Sequence, residues 1–224
     1  MQKIVILNPK GGSGKTTIAT NLASYFAANN YCPALLDFDS QGSSTRWLKH
    51  RPDDAPPIHG ISSCEQPSGT TRSWHLRVPP GTDRTIVDTP AAIPRHRIPE
   101  YTRGADVILV PVLPSQIDIH AASRCIADLL LVAKISRRED RIAIVANRVK
   151  KNTRVLKSLI RFLESLEIPF IASLRDTQNY IRAAEHGLGI HDMPRYRVRD
   201  DLEQWEPLVE WIKARPTSML RNVG

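Results

Sequence analysis

Eight residues near the start of the chain, Lys10-Gly11-Gly12-Ser13-Gly14-Lys15-Thr16-Thr17, constrain its fold more than any other feature. They follow a short β-branched run at 3–7 (KIVIL). They open a segment, 16–28, in which Ile18, Leu22, Tyr25 and Phe26 recur at helical spacing. A strand that breaks into glycines and resumes as a helix can turn its backbone N–H groups inward around an anion. The helix N-terminus adds the positive end of its dipole at the same place. Gly11, Gly12, Ser13 and Gly14 are thus the expected phosphate cradle. Lys15 is expected to reach the β- and γ-phosphates, Thr16 to ligate Mg²⁺ and Thr17 to bond the α-phosphate. The general pattern GxxxxGK[ST] needs glycine at position 9, where this chain has Pro9, and a second lysine, Lys10, precedes the glycines.

The rest of the chain repeats the alternation. Short apolar runs at 34–38 (ALLDF), 85–88 (TIVD), 107–112 (VILVPV), 142–146 (IAIVA) and 169–172 read as strands buried on both faces. Helical spacing predicts helices over 119–132, 154–166, 177–186 and 202–214. Such alternation implies an α/β fold, P-loop NTPase-like, with a mostly parallel central sheet and helices on both faces. One domain is expected over 1–224, since no internal repeat interrupts it. Residues 51–81, rich in Pro, Ser and Gly, are expected as an irregular excursion with at most one short helix or strand, and 215–224 as a short tail.

Composition narrows the setting. Charged residues are 24 % and apolar ones 41 %, ordinary for a folded globular chain. No apolar run reaches the length of about 18 residues that a transmembrane helix needs. The start, MQKIVILNPKGG, lacks a basic segment followed by a long apolar core, so no signal peptide is expected. Cys32, Cys64 and Cys125 are far apart and form no CxxC. That argues against a disulfide framework or a metal site of that spacing, and for a reducing, cytoplasmic setting.

Carboxylates stand where the strands end. Asp37 and Asp39, two apart after the second run, share a face if the strand continues. Asp88 closes the third run. A carboxylate at the carboxyl end of a strand can orient water or hold the water shell of a metal.

The motif KGGSGKTT resembles the deviant Walker A motif of the ParA/MinD ATPases, and the resemblance extends over nearly the whole chain. It implies ATP and Mg²⁺ as cofactors and a homodimer that closes on ATP, with Lys10 reaching across to the partner's nucleotide. Asp37-Phe38-Asp39-Ser40-Gln41 looks like the family's DxDPQ switch, with Ser40 in place of the proline. By that resemblance Asp39 positions the attacking water and Asp37 supports the Mg²⁺ region. Asp88 takes the Walker B position, and Thr89-Pro90-Ala91 resembles the second switch. Pro111 to Asp118 is similar to the PxxPxxxD segment of the dimer face. It also reads simply as a helix start, with Pro114 breaking the strand and Asp118 in the first turn. Asn147, after the fifth strand, is similar to the position where relatives contact adenine, and is equally a plain strand-end asparagine.

Charge is concentrated in one place. Between Lys134 and Arg161 stand ten basic residues against Glu139 and Asp140, a surplus equal to the net charge of +8. Arg154, Lys157 and Arg161 fall on one face of a helix, opposite the apolar residues. Such a stripe, with Arg148, Lys150 and Lys151, suits DNA phosphates without regard to sequence; a solvated basic face is the plainer alternative. The resemblance implies a ParA-type positioning ATPase that coats nucleoid DNA and is stimulated by a ParB-like or adaptor partner. The 217–224 stretch is too short and too weakly apolar for the membrane helix of MinD-type relatives. A MinD-like membrane ATPase and a metabolic ligase of the dethiobiotin synthetase kind are the competing readings.

Overall fold

The computed structural model describes residues 1–63, 77–150, 160 and 167–217. Among these, seven strands form one sheet: β1 (Gln2–Ile6), β2 (Pro33–Asp37), β3 (His59–Ser62), β4 (Arg84–Asp88), β5 (Val107–Val112), β6 (Ile142–Val149) and β7 (Phe170–Arg175). The order is β3-β2-β4-β1-β5-β6-β7, and every pairing is parallel. The helices are α1 (Lys15–Ala28), α2 (Ser43–Lys49), α3 (Ile98–Thr102), α4 (Gln116–Leu131), α5 (Gln178–Glu185) and α6 (Arg195–Lys213).

Side chains alternate along a strand, so β1 sends Val5 to one face of the sheet and Ile4 and Ile6 to the other. The first face is covered by α3 and α4, through Ile98, Tyr101, Ile119, Ala122, Ile126 and Leu129. The second is covered by α1 and α6, through Ile18, Leu22, Phe26, Trp205, Leu208 and Ile212. Burial on both faces is why the strands read as unbroken apolar runs and the sheet is parallel. At the amino edge, Gln2 Nε2 donates to the Ile212 and Arg215 carbonyls at 2.9 and 3.0 Å, fixing the end of α6 to the first strand.

The excursion holds one short strand, within what is expected of it, and the helix α2 departs from the sequence expectation. The excursion contains β3, an edge strand whose first two residues are exposed and whose HGIS sequence carries no alternation. Ser43–Lys49 forms α2 although SSTRWLK has no apolar period; its first turn is held by carboxylates from the sheet, described below. The helix expected over 154–166 lies, apart from Ile160, outside the described residues, as do 218–224 of the tail. The last helix starts at Arg195, ahead of the expected 202.

The far end of α2 is held by a buried ion pair. Arg51 donates from Nη1 to Asp192 Oδ2 at 2.9 Å, from Nη2 to Oδ1 at 3.2 Å and from Nη1 to the Gly187 carbonyl at 3.1 Å. The side chains are 6 % and 5 % exposed. Asp192 also accepts Ser24 Oγ and the Gly189 N–H, so the pair links α1, α2 and the turn after α5. Gly187, at φ +64, packs against this backbone; a Cβ there would lie 2.3 Å from Arg51 N. Removing one partner of a buried pair strands the other charge. Arg51→Ala is therefore expected to lower unfolding stability in urea by about 3 kcal/mol. A loss below about 1 kcal/mol would show that water screens the pair as it does at a surface.

Candidate nucleotide-binding site

The loop between β1 and α1 opens over the carboxyl ends of the strands, where parallel α/β sheets bind ligands. Gly12 and Gly14 have φ of +75 and +93. Gly14 is the N-cap of α1, and a Cβ on it would meet Asn147 Nδ2 at 1.9 Å. Only glycine satisfies both the left-handed turn and that approach. Lys15 is 6 % exposed, and its ammonium donates to the carbonyls of Asn8 at 3.0 Å and Lys10 at 3.3 Å. Burial lowers the Lys15 pKa from its ordinary value, while Asp88 and Asp39 oppose the shift. A cation held beneath a glycine loop that opens a helix N-terminus is suited to a polyphosphate.

The acidic half faces Thr16. Asp88 is fully buried, and its Oδ2 accepts Thr16 Oγ1 at 2.7 Å and Ser44 Oγ at 2.6 Å. Its Oδ1 is buried and meets no hydrogen-bond donor among the described residues. Burial pushes the Asp88 carboxyl up to about 6, with neighbouring Asp37 raising it further and the two hydroxyls and Lys15 opposing. An unpartnered carboxylate oxygen beside a threonine hydroxyl is a hard-oxygen set that fits Mg²⁺. Asp37 pairs in register with Asp88 across β2 and β4. Its Oδ1 accepts the Asp39 N–H at 3.1 Å, and its Oδ2 accepts the Thr45 N–H at 2.8 Å and the Thr45 hydroxyl at 3.0 Å. Asp37 therefore stands behind Asp88 and holds the loop. Asp39 is half-buried in that loop and close enough to Lys15 to raise its pKa. Its Oδ1 accepts the Gln41 N–H at 3.0 Å, and its carbonyl accepts the Gly42 N–H at 2.9 Å.

Lys10 turns to its own chain. Its N–H donates to Asn8 Oδ1 at 2.9 Å, and its ammonium pairs with Asp118 Oδ1 at 2.7 Å. Asp118 sits in the first turn of α4, where Ser115 is the N-cap and accepts the Asp118 N–H, so the helix-start reading of this segment holds. Asn8, fully buried, donates to the Pro111 carbonyl at 2.7 Å and braces the loop against β5. Pro9 accepts the Ala92 N–H at 2.7 Å, which straps the Thr89-Pro90-Ala91 segment to the loop.

Asn147 is 4 % exposed and donates from Nδ2 to the Ser13 carbonyl at 3.0 Å, while its Oδ1 accepts the Arg148 N–H at 3.0 Å. The register of β6 slips between Ala146 and Val149, and Arg148 takes φ +52. That bulge turns Asn147 under the phosphate loop. Arg148 and Lys150 are exposed. The other candidate DNA contacts, Lys151, Arg154, Lys157 and Arg161, lie outside the described residues. Three contributors were not singled out from sequence: Asn8, Ser44 and Thr45. The signal for the last two was a pair of hydroxyls just after Asp37-Phe38-Asp39.

Comparison with known proteins converges on one group. The family model described as the CobQ/CobB/MinD/ParA nucleotide binding domain matches residues 4–190. The protein named maintenance of carboxysome distribution protein A from Halothiobacillus neapolitanus is 25 % identical over 192 residues, covering 85 % of this chain and 87 % of that one. Its namesake in Gloeobacter kilaueensis is 29 % identical over 191 residues, covering 84 % and 82 %. The apo structure of McdA from Cyanothece has a TM-score of 0.73 at 17 % identity, over 95 % of this chain and 99 % of that one. The ATP complex of a variant of that McdA scores 0.68 at 18 % identity, over 93 % and 96 %.

Proposed function

Because the chain belongs to the CobQ/CobB/MinD/ParA nucleotide-binding family, we propose that it is a ParA-type ATPase that positions or segregates a cargo. The observation that carries the reading is the meeting of Lys15, Thr16 and Asp88 at one glycine cradle, with the Thr16–Asp88 bond at 2.7 Å. Gly11, Gly12, Ser13 and Gly14 present backbone N–H groups to the phosphates, Lys15 spans the β- and γ-phosphates, and Thr17 bonds the α-phosphate. Asn147 holds the cradle from beneath through the Ser13 carbonyl. Thr16 and Asp88, with Asp37 behind them, would hold Mg²⁺, which when bound neutralises charge on the phosphate oxygens. Asp39 orients the water that attacks the γ-phosphorus as ADP leaves, and Lys15 stabilises the charge that develops. Lys10 leaves Asp118 and acts on the nucleotide of a second copy, which couples ATP binding to dimerisation.

The dimer then binds duplex DNA without sequence preference through Arg148, Lys150, Lys151, Arg154, Lys157 and Arg161, and so associates with the nucleoid. A ParB-like or adaptor protein on the cargo stimulates hydrolysis and releases it. The relatives' names favour a protein compartment over a plasmid or a chromosome origin as that cargo. No helix among the described residues is long and apolar enough to cross a membrane.

The test is a titration of random-sequence duplex DNA with ADP, ATP and a non-hydrolysable ATP analogue. Binding is expected only with the triphosphates. With six phosphate contacts it should weaken about 10³-fold between about 50 and 200 mM salt. Equal binding in all nucleotide states would remove the ATP switch. No binding in any state would remove the nucleoid reading, and anionic liposomes would then test a membrane-positioning role.

A further inference from the structure

Asp37 and Asp88 end adjacent strands in register, both buried, and two like charges so placed repel. Consecutive residues of the first turn of α2 answer them. Thr45 gives its N–H and hydroxyl to Asp37 Oδ2, and Ser44, fully buried, gives its hydroxyl to Asp88 Oδ2 at 2.6 Å. Thr16 bonds the same oxygen, so Oδ2 is shared by two hydroxyls while Oδ1 has none. The loop between the strand and α2 carries Asp39, closed by the Gly42 N–H on the Asp39 carbonyl. Ser44 therefore bonds the carboxylate from a helix whose N-cap, Gly42, closes the Asp39 loop.

We infer that Ser44 is a positioning residue for the cation half of the site. By occupying Asp88 Oδ2 it leaves Oδ1 without a donor among the described residues, so that this oxygen would be available to Mg²⁺. By belonging to α2 it ties the Asp39 loop to the same carboxylate. The inference rests on the ATPase reading above. A hydroxyl that only filled space would serve the free and the nucleotide-bound protein alike. A positioning hydroxyl acts on the cation.

The experiment measures ATP binding by calorimetry on the full chain across a series of free Mg²⁺ concentrations, and again in EDTA. The proteins are wild type, Ser44→Ala, Ser44→Thr and Ser44→Cys, each checked for its thermal transition. Ser44→Ala is expected to raise the half-saturating Mg²⁺ concentration about tenfold, as loss of a ligand's hydrogen-bond partner does. Its ATP affinity in EDTA should change less than about twofold, while Ser44→Thr, which keeps the hydroxyl, brings the Mg²⁺ midpoint back to about the wild-type value. Ser44→Cys keeps the volume with a weaker donor and should fall between them, so an alanine variant that fails to fold still leaves a decision. Equal weakening with and without Mg²⁺, or no recovery in Ser44→Thr, makes Ser44 a packing residue and overturns the inference. Wild-type protein that binds no ATP at any Mg²⁺ concentration overturns the ATPase reading instead, a result distinct from any pattern among the variants.

Discussion

Lys15→Ala cuts ATP affinity by at least about 100-fold, the scale of losing charge-assisted hydrogen bonds to two phosphates. The ammonium now bonds the Asn8 and Lys10 carbonyls, at 3.0 and 3.3 Å. Without it, those carbonyl oxygens face the incoming phosphates with no cation between them. Asp88 and Asp39 lie near enough to shift the Lys15 pKa, so the variant also leaves two acids beside a polyanion. The fold should survive, because α1 is held by Ile18, Leu22 and Phe26 in the core. Calorimetric titration with ATP decides the matter: an affinity within about threefold of wild type would mean that the loop N–H groups alone bind the phosphates.

Asp39→Ala separates binding from turnover. Its carboxylate accepts the Gln41 N–H in a local turn, a bond worth about 1 kcal/mol. The hydroxyl bonds on Asp88 and the Lys15 bonds to the Asn8 and Lys10 carbonyls are made by other groups, so ATP binding and the proposed ATP-dependent dimer should persist. Phosphate release should fall about 10²-fold or more, the contribution of a group that handles the attacking water. DNA binding should then outlast the normal lifetime of the ATP state. Dissociation of the variant dimer in ATP, or turnover within about fivefold of wild type, would take the water-positioning role away from Asp39.

The elements legible in the sequence are those whose own residues decide their fate. β1, β5 and β6 are apolar on both faces, and α1 and α4 carry the helical period, so each announced itself. The phosphate loop was legible because strand, glycines, lysine and threonines are contiguous. α2 was not, because the donors and acceptors that hold it come from elsewhere. Ser44 and Thr45 bond carboxylates on β4 and β2, and Arg51 bonds Asp192. β3 has a single neighbour in the sheet and little to bury, so its sequence carries no pattern. The Lys10–Asp118 pair joins residues on different elements that no spacing rule connects. Asn147 could be read as a polar strand end, but its bond under the loop depends on the bulge at Arg148.

The central position of β1 has a consequence for how the molecule comes into being. It is synthesised before both of its neighbours, β4, at Arg84–Asp88, and β5, at Val107–Val112. Until both have been made, β1 offers unpaired edges on either side, a state that invites association between nascent chains. The mature protein therefore depends on contacts that are distant in sequence, such as Thr16 with Asp88 and Gln2 with Ile212, and such topologies fold slowly. A nucleotide that needs the loop after β1, the Asp39 loop after β2 and Asp88 of β4 together recognises only an assembled sheet. Its presence during synthesis should draw the last slow step forward, so that the cell's ATP pool acts as a folding ligand before it acts as fuel.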